Sequence, residues 1–152
     1  MSLVFTPTAE AVAELKREWA WLLPAEYEPV LFSALGDLFY EVPAGSIWWL
    51  NTGTAELSKV AENTAAFEGL LNSEESKYWF LPALIEELAQ AGKTLGEGQC
   101  YSFVTLPIFK QASYSVDNLN PVDAKEHFGL TGCVLRQICD LPEGAAVRFE
   151  IT

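Results

Sequence analysis

Apolar side chains recur along the first part of the chain at the spacing of one helix face. Val12, Leu15, Trp19, Leu22 and Leu23 fall on one side, and Glu10, Glu14, Lys16, Arg17 and Glu18 lie mostly between them. Thr6 and Pro7 offer a cap followed by a proline at the first helical position, so the pattern predicts an amphipathic helix over 7–22. Pro24 interrupts it. Residues 25–35 read as a second short helix, kinked or restarted near Pro29, with Gly36 in the left-handed position past its end.

The period then changes to that of strands. Leu38-Phe39-Tyr40-Glu41-Val42 and Ile47-Trp48-Trp49-Leu50 flank the turn residues Pro43-Ala44-Gly45-Ser46, which predicts a hairpin. Residues 57–61 read as a third strand. Asn63 is placed to cap a helix carrying Phe67, Leu70 and Leu71. Ser73 is placed to cap another that runs to Ala91, with Trp79, Leu84, Leu88 and Ala91 inward and Gly92 as its stop. Pro82 sits in the first turns of that helix or splits it in two.

After a Gly-rich connector, 100–104 reads as a strand ended by Pro107, and 113–117 alternates as another. Asp123 and Glu126 form an Asp-x-x-Glu capping arrangement ahead of a helix to about Cys139, with Phe128, Leu135 and Ile138 inward. Gly129 and Gly132 weaken that helix by about 1 kcal/mol each against Ala, which points to close packing on a neighbour. Leu141-Pro142-Glu143-Gly144 is a turn, and 145–151 alternates as a last strand. This order of elements predicts one α+β domain over 1–152. Its expected architecture is a mainly antiparallel sheet of five to six strands packed with N-terminal, central and C-terminal helices.

Composition narrows the function. The chain of 152 residues is 50% hydrophobic and 20% charged, which suits a folded protein. Nine Lys and Arg against 21 Asp and Glu give a net charge of −12. Nucleic acid and anionic membrane repel such a field, so neither is an expected partner, whereas a basic protein is. The N-terminal residues lack the basic and apolar regions of a secretory signal, and no apolar run approaches membrane-spanning length, so the cytoplasm is the expected compartment. Cys100, Cys133 and Cys139 contain no CxxC pair and read as reduced core thiols, with one oxidised pair as the alternative that spacing does not decide.

Motifs of catalysis are not evident. His127 is the single histidine, with Asp123 one helical turn before it, and this pair reads as a helix-surface His near a capping Asp. His127, Cys133 and Cys139 do not share the close spacing of a zinc site, and no metal or other cofactor is expected. Gly96-Glu97-Gly98 lacks the ending of a phosphate loop and carries a carboxylate that repels phosphate. Glu74-Glu75 and Glu86-Glu87 are neighbours on helices and read as solvated faces. An enzyme is therefore not expected.

Trp48 and Trp49 point to opposite faces of a strand, one of them outward, either covered by another element or free as an anchor. The same choice applies to Tyr78-Trp79-Phe80. The residues selected for a partner surface from exposure and charge are Trp48, Trp49, Glu74, Glu75, Tyr78, Asp117 and Asn118.

Three stretches, taken in order, resemble a known family. They are Leu22-Leu23-Pro24-Ala25-Glu26-Tyr27 with Leu35-Gly36-Asp37-Leu38-Phe39, then Gly45-Ser46-Ile47-Trp48-Trp49-Leu50-Asn51-Thr52. The third starts at Gly98-Gln99-Cys100-Tyr101-Ser102-Phe103 and passes Ser115-Val116-Asp117-Asn118-Leu119 and His127-Phe128 to Leu141-Pro142-Glu143-Gly144. The set resembles the C-terminal domain of type VI secretion immunity proteins, long catalogued as a domain of unknown function. The Leu-Pro-x-x-Tyr and Leu-Gly elements are more distantly similar to the SUKH immunity superfamily. The resemblance implies a non-enzymatic α+β protein that binds and neutralises a cognate toxin, often a nuclease, inside the producing cell. Longer members carry an additional N-terminal domain, which is expected to be missing or reduced here, given the short stretch ahead of Leu22. The alternative is a cytoplasmic scaffold or regulatory module, and a homodimer is compatible with either reading.

Overall fold

Thr8 starts the first helix. It is extended, and its hydroxyl accepts the Ala11 amide at 3.1 Å, so α1 (Ala9–Glu18) begins just after the expected Thr6-Pro7 and ends at Trp19. The computed structural model describes residues 2–109, 112–139 and 141. A short strand, β1 (Val4–Phe5), precedes α1.

The helix expected over 25–35 is instead a strand, β2 (Glu28–Ser33). Pro29 blocks a helix interior, and Val30 and Phe32 suit a pleated surface better. β2 also has partners on both sides: Val4 pairs with Ser33 and Phe32 with Leu38, and the register shifts between Pro29 and Leu31. Gly36 is left-handed, at φ +84°, but in the tight turn from β2 into β3 (Leu38–Glu41) rather than past a helix. Its amide bonds Ser33 O at 2.8 Å.

The expected hairpin forms between β3 and β4 (Ile47–Asn51), and β5 (Glu56–Ala61) follows. The five strands make one antiparallel sheet in sequence order. Asn63 caps α2 (Thr64–Leu71), accepting the Ala66 amide at 2.8 Å. Pro82 splits the next helix into α3 (Ser76–Phe80) and α4 (Pro82–Gln90), with Leu81 between them at φ +46°. Ser73 does not cap α3; its hydroxyl turns back to Leu70 O at 2.7 Å. Ala91, expected inward, ends α4 and is exposed.

β6 (Gln99–Phe103) pairs with β7 (Leu119–Asp123) as a separate antiparallel ribbon. The strand expected over 113–117 is absent. Val116–Asn118 is a 3-10 turn, and the Asn118 side chain bonds Thr105 N, Thr105 O and Ser113 O at 2.8–2.9 Å, which holds this stretch as a loop. Asp123 precedes α5 (Ala124–Ile138) without a side-chain cap bond. The last strand expected over 145–151 lies outside the described residues, as does the turn before it from 142 on.

Strand alternation sorts the core into two layers. Leu38, Tyr40 and Leu50 join Leu15, Trp19, Phe128 and Leu135 beneath α1 and α5. Phe39, Ile47 and Trp49 join Phe67, Trp79 and Phe80 beneath α2 and α3 on the other face. Tyr101 and Leu119 of the ribbon pack with Leu84, Ile85 and Leu88 of α4, and Tyr101 N bonds Ala34 O at 2.7 Å. The described part is thus an α+β fold. No helix among the described residues is long and apolar enough to cross a membrane.

The two glycines of α5 meet α1 differently. A Cβ at Gly132 would sit 2.7 Å from Glu18 O and 2.8 Å from Glu18 Cβ, whereas at Gly129 it would meet the Glu14 carboxylate end at 3.2 Å. Gly132→Ala is therefore expected to cost about 1–3 kcal/mol, because backbone must move. Gly129→Ala is expected to be neutral or stabilising, since helix propensity favours Ala by about 1 kcal/mol and Glu14 can swing aside. Urea denaturation of the two variants checks the contrast.

Candidate functional site

The turn from β2 into β3 buries a carboxyl group. Asp37 is 5% exposed, and its Oδ1 accepts the Thr52 amide at 2.9 Å and the Thr52 hydroxyl at 3.2 Å. Thr52, at the end of β4, has its hydroxyl 3.0 Å from Gly36 O and 2.7 Å from His127 Nε2. Gly36 O and Asp37 Oδ1 both accept from the Thr52 hydroxyl, so Nε2 carries the imidazole proton and donates to Thr52. His127 Nδ1 then accepts from the Ser102 hydroxyl of β6 at 2.7 Å. Thr131 fixes the helix locally by donating to His127 O at 2.6 Å.

This chain of four side chains joins the five-stranded sheet, the ribbon and α5. It also corrects the expectation for His127. The ring is 1% exposed and turned inward, away from the pairing expected with Asp123. Burial pushes its pKa down to about 4, against a smaller upward pull from the Gly36 backbone. Burial pushes the Asp37 carboxyl up to about 7, against the downward pull of hydrogen bonds to Thr52 and to the Trp49 side chain. Gly36 cannot be replaced without disturbance, because a Cβ there would overlap the His127 ring.

Ser102 and His127 reach the floor of an open groove of about 800 Å³ between α1, α5 and the ribbon. The residue types are those of a hydrolytic relay, but the arrangement suits one poorly. Thr52 stands between the imidazole and the carboxyl, and a histidine held near pH 4 is a weak base. Glu14, Glu18 and Glu126 flank the groove with Lys125 as the one cation among the described lining, a field that disfavours a developing oxyanion. The chain of hydrogen bonds works best as a clasp between elements.

The residues selected for a partner surface separate into groups. Trp49 is 5% exposed and Asn118 is 8% exposed, so neither has the exposure for which it was chosen. Trp49 stacks on Phe39 of β3 at 6.3 Å and packs in the same layer as Trp79 of α3, and Asn118 bonds both Thr105 and Ser113. Trp48 is half-buried over the other layer, with its indole N–H donating to Ser46 Oγ at 3.1 Å. Asp117 is exposed on the 3-10 turn near α4. Glu74, Glu75 and Tyr78 are exposed together on the segment that enters α3, and Glu74 pairs with Lys77 at 2.7 Å. Tyr78 is 75% exposed, whereas Trp79 and Phe80 beside it are core.

Tyr78 and Trp49 meet again at a second cavity of about 350 Å³, which Asp37 also lines. Sequence reasoning missed Asp37, Thr52 and Ser102. They stand 15 to 75 positions from their hydrogen-bond partners, and the available signal was an acid placed directly before the apolar run Leu38-Phe39-Tyr40. Among the described residues no three His, Cys, Asp or Glu side chains form a metal-sized cluster.

No curated protein matches the chain in sequence. A family model described as type VI secretion system immunity protein Tdi1, C-terminal, matches residues 61–133, from the end of β5 into α5. Over 61–133 the chain is thus similar to the C-terminal part of type VI secretion immunity proteins, which supports the resemblance drawn from the residues.

Proposed function

We propose that the protein is a cytoplasmic, non-enzymatic immunity protein that binds a cognate toxin and neutralises it. The family match over 61–133 carries this reading. A net charge of −12 supports a basic toxin, such as a nuclease whose own cleft is built for nucleic acid. The exposed segment Glu74, Glu75 and Tyr78 supplies acidic and aromatic contacts on one face. Asp117 and Trp48 are further contacts in this proposal.

Co-expression tests it. The candidate toxins are the products of genes adjacent to this one. Rescue from the lethality of one of them, with co-purification of the pair, is the expected result. No rescue and no complex with any of them would shift the reading to a scaffold or regulatory module.

Charge reversal gives a finer test. Glu74→Lys with Glu75→Lys is expected to slow toxin association by roughly 10-fold at low salt and much less at high salt, with the melting temperature unchanged. Unchanged low-salt association rates would remove these residues from the interface.

A further inference from the structure

Asp37 lines the 350 Å³ cavity between β4, α3 and the ribbon. That volume lies at the lower end of the roughly 300–1,000 Å³ in which organic groups are held. The walls are aromatic: Trp49, Trp79, Tyr78 and Tyr114. Two of them stand unusually free at the mouth, Tyr78 at 75% and Tyr114 at 47% exposure. Asp37 and Glu56 supply two carboxyl groups, and no Lys or Arg lies among the described lining residues.

Inside, the Trp49 indole N–H faces the Asp37 carboxyl and pulls its pKa down. Thr52 donates to Asp37 Oδ1 from its amide and its hydroxyl. Aromatic faces set around carboxylates match a flat cation: a guanidinium stacks on rings and forks onto a carboxylate, where an ammonium does only the first weakly.

We propose that this cavity receives an arginine side chain presented by the protein partner, held by Asp37 and Glu56 between Tyr78, Trp49 and Tyr114. The proposal rests on the immunity reading for the identity of the partner, but the cation site stands on its own geometry. A protein is favoured over a free small molecule because Tyr78, which lines the cavity, follows the exposed Glu74 and Glu75 along the same segment, an aromatic and acidic combination suited to a protein partner. Bound arginine also supplies the counter-charge that a buried Asp37 lacks.

The test uses N-acetyl-arginine amide as probe, followed by tryptophan fluorescence of the full chain. A saturable change at millimolar probe is expected. It should weaken at least 5-fold in Tyr78→Ala and in Glu56→Gln, both rim variants that leave the core untouched, and it should be absent with N-acetyl-citrulline amide. No saturation, or equal binding of the uncharged citrulline probe, overturns the proposal. The same two variants should weaken the neutralised toxin's binding at least 10-fold, and full retained affinity would overturn the partner's arginine as the occupant. The two readings fail separately: a chain that binds the arginine probe but protects no cell loses the immunity reading and keeps the cation site.

Discussion

Asp37→Asn is expected to stabilise the protein at neutral and alkaline pH. The Asp37 carboxyl has its pKa raised from 3.8 unfolded to about 7 folded. Its contribution is fully present below pH 3.8 and is lost as pH rises toward 7, because the unfolded chain releases the proton first. The span corresponds to about 4 kcal/mol. Asparagine keeps an oxygen for the Thr52 amide and hydroxyl, and it has no proton to lose. The stability of the variant minus that of the wild type should therefore climb between pH 4 and pH 8 by up to that amount. Urea denaturation at a series of pH values measures it, and a flat difference would contradict the burial of an uncompensated carboxyl.

His127 acts in the opposite sense. Its pKa falls from 6.5 unfolded to about 4 folded, so its stabilising share is present above pH 6.5 and is lost as pH drops through 4. In the wild type the two slopes oppose each other between about pH 4 and 6.5 and leave that window nearly flat. His127→Gln should remove one slope and expose the other, giving a protein whose stability declines as pH rises through this window.

Trp19→Ala is expected to cost about 3–5 kcal/mol. Trp19 is fully buried, stacks on Trp21 at 5.5 Å, and fills the layer between α1, α5 and the sheet. Among the described residues its Nε1 has no hydrogen-bond partner, so packing holds the ring. Trp19→Phe removes the orphaned N–H together with part of the volume, and it should cost much less than the alanine change. Chemical denaturation of both variants gives the ranking. A loss of under about 1 kcal/mol for the alanine variant would be that of a surface residue and would contradict this packing.

Elements with a local signal were legible in the sequence. α1 follows from its apolar stripe, the β3–β4 hairpin from Pro43-Ala44-Gly45-Ser46, and α2 from the Asn63 cap. β2 was not legible because Val30 to Leu35 is a short apolar run without clear period, and its partners β1 and β3 decide its state. β7 was displaced in the reading because Asn118 turns the apparent alternation of 113–117 into a loop. His127 reads as a surface residue beside Asp123 until the sheet brings Thr52 and Ser102 to its two nitrogens. The exposed Glu74, Glu75 and Tyr78 were legible, since charge and turn residues mark them, whereas the cavity beside them depends on tertiary packing.

The central claim is neutralisation by binding, and stoichiometry tests it most directly. The measurement is residual toxin activity against the molar ratio of this protein to toxin. The account predicts a linear fall that reaches zero near one immunity protein per toxin and does not deepen with time. Loss of activity at substoichiometric amounts that grows with incubation would reveal an enzyme, and full activity at excess protein would show that this chain does not neutralise that toxin.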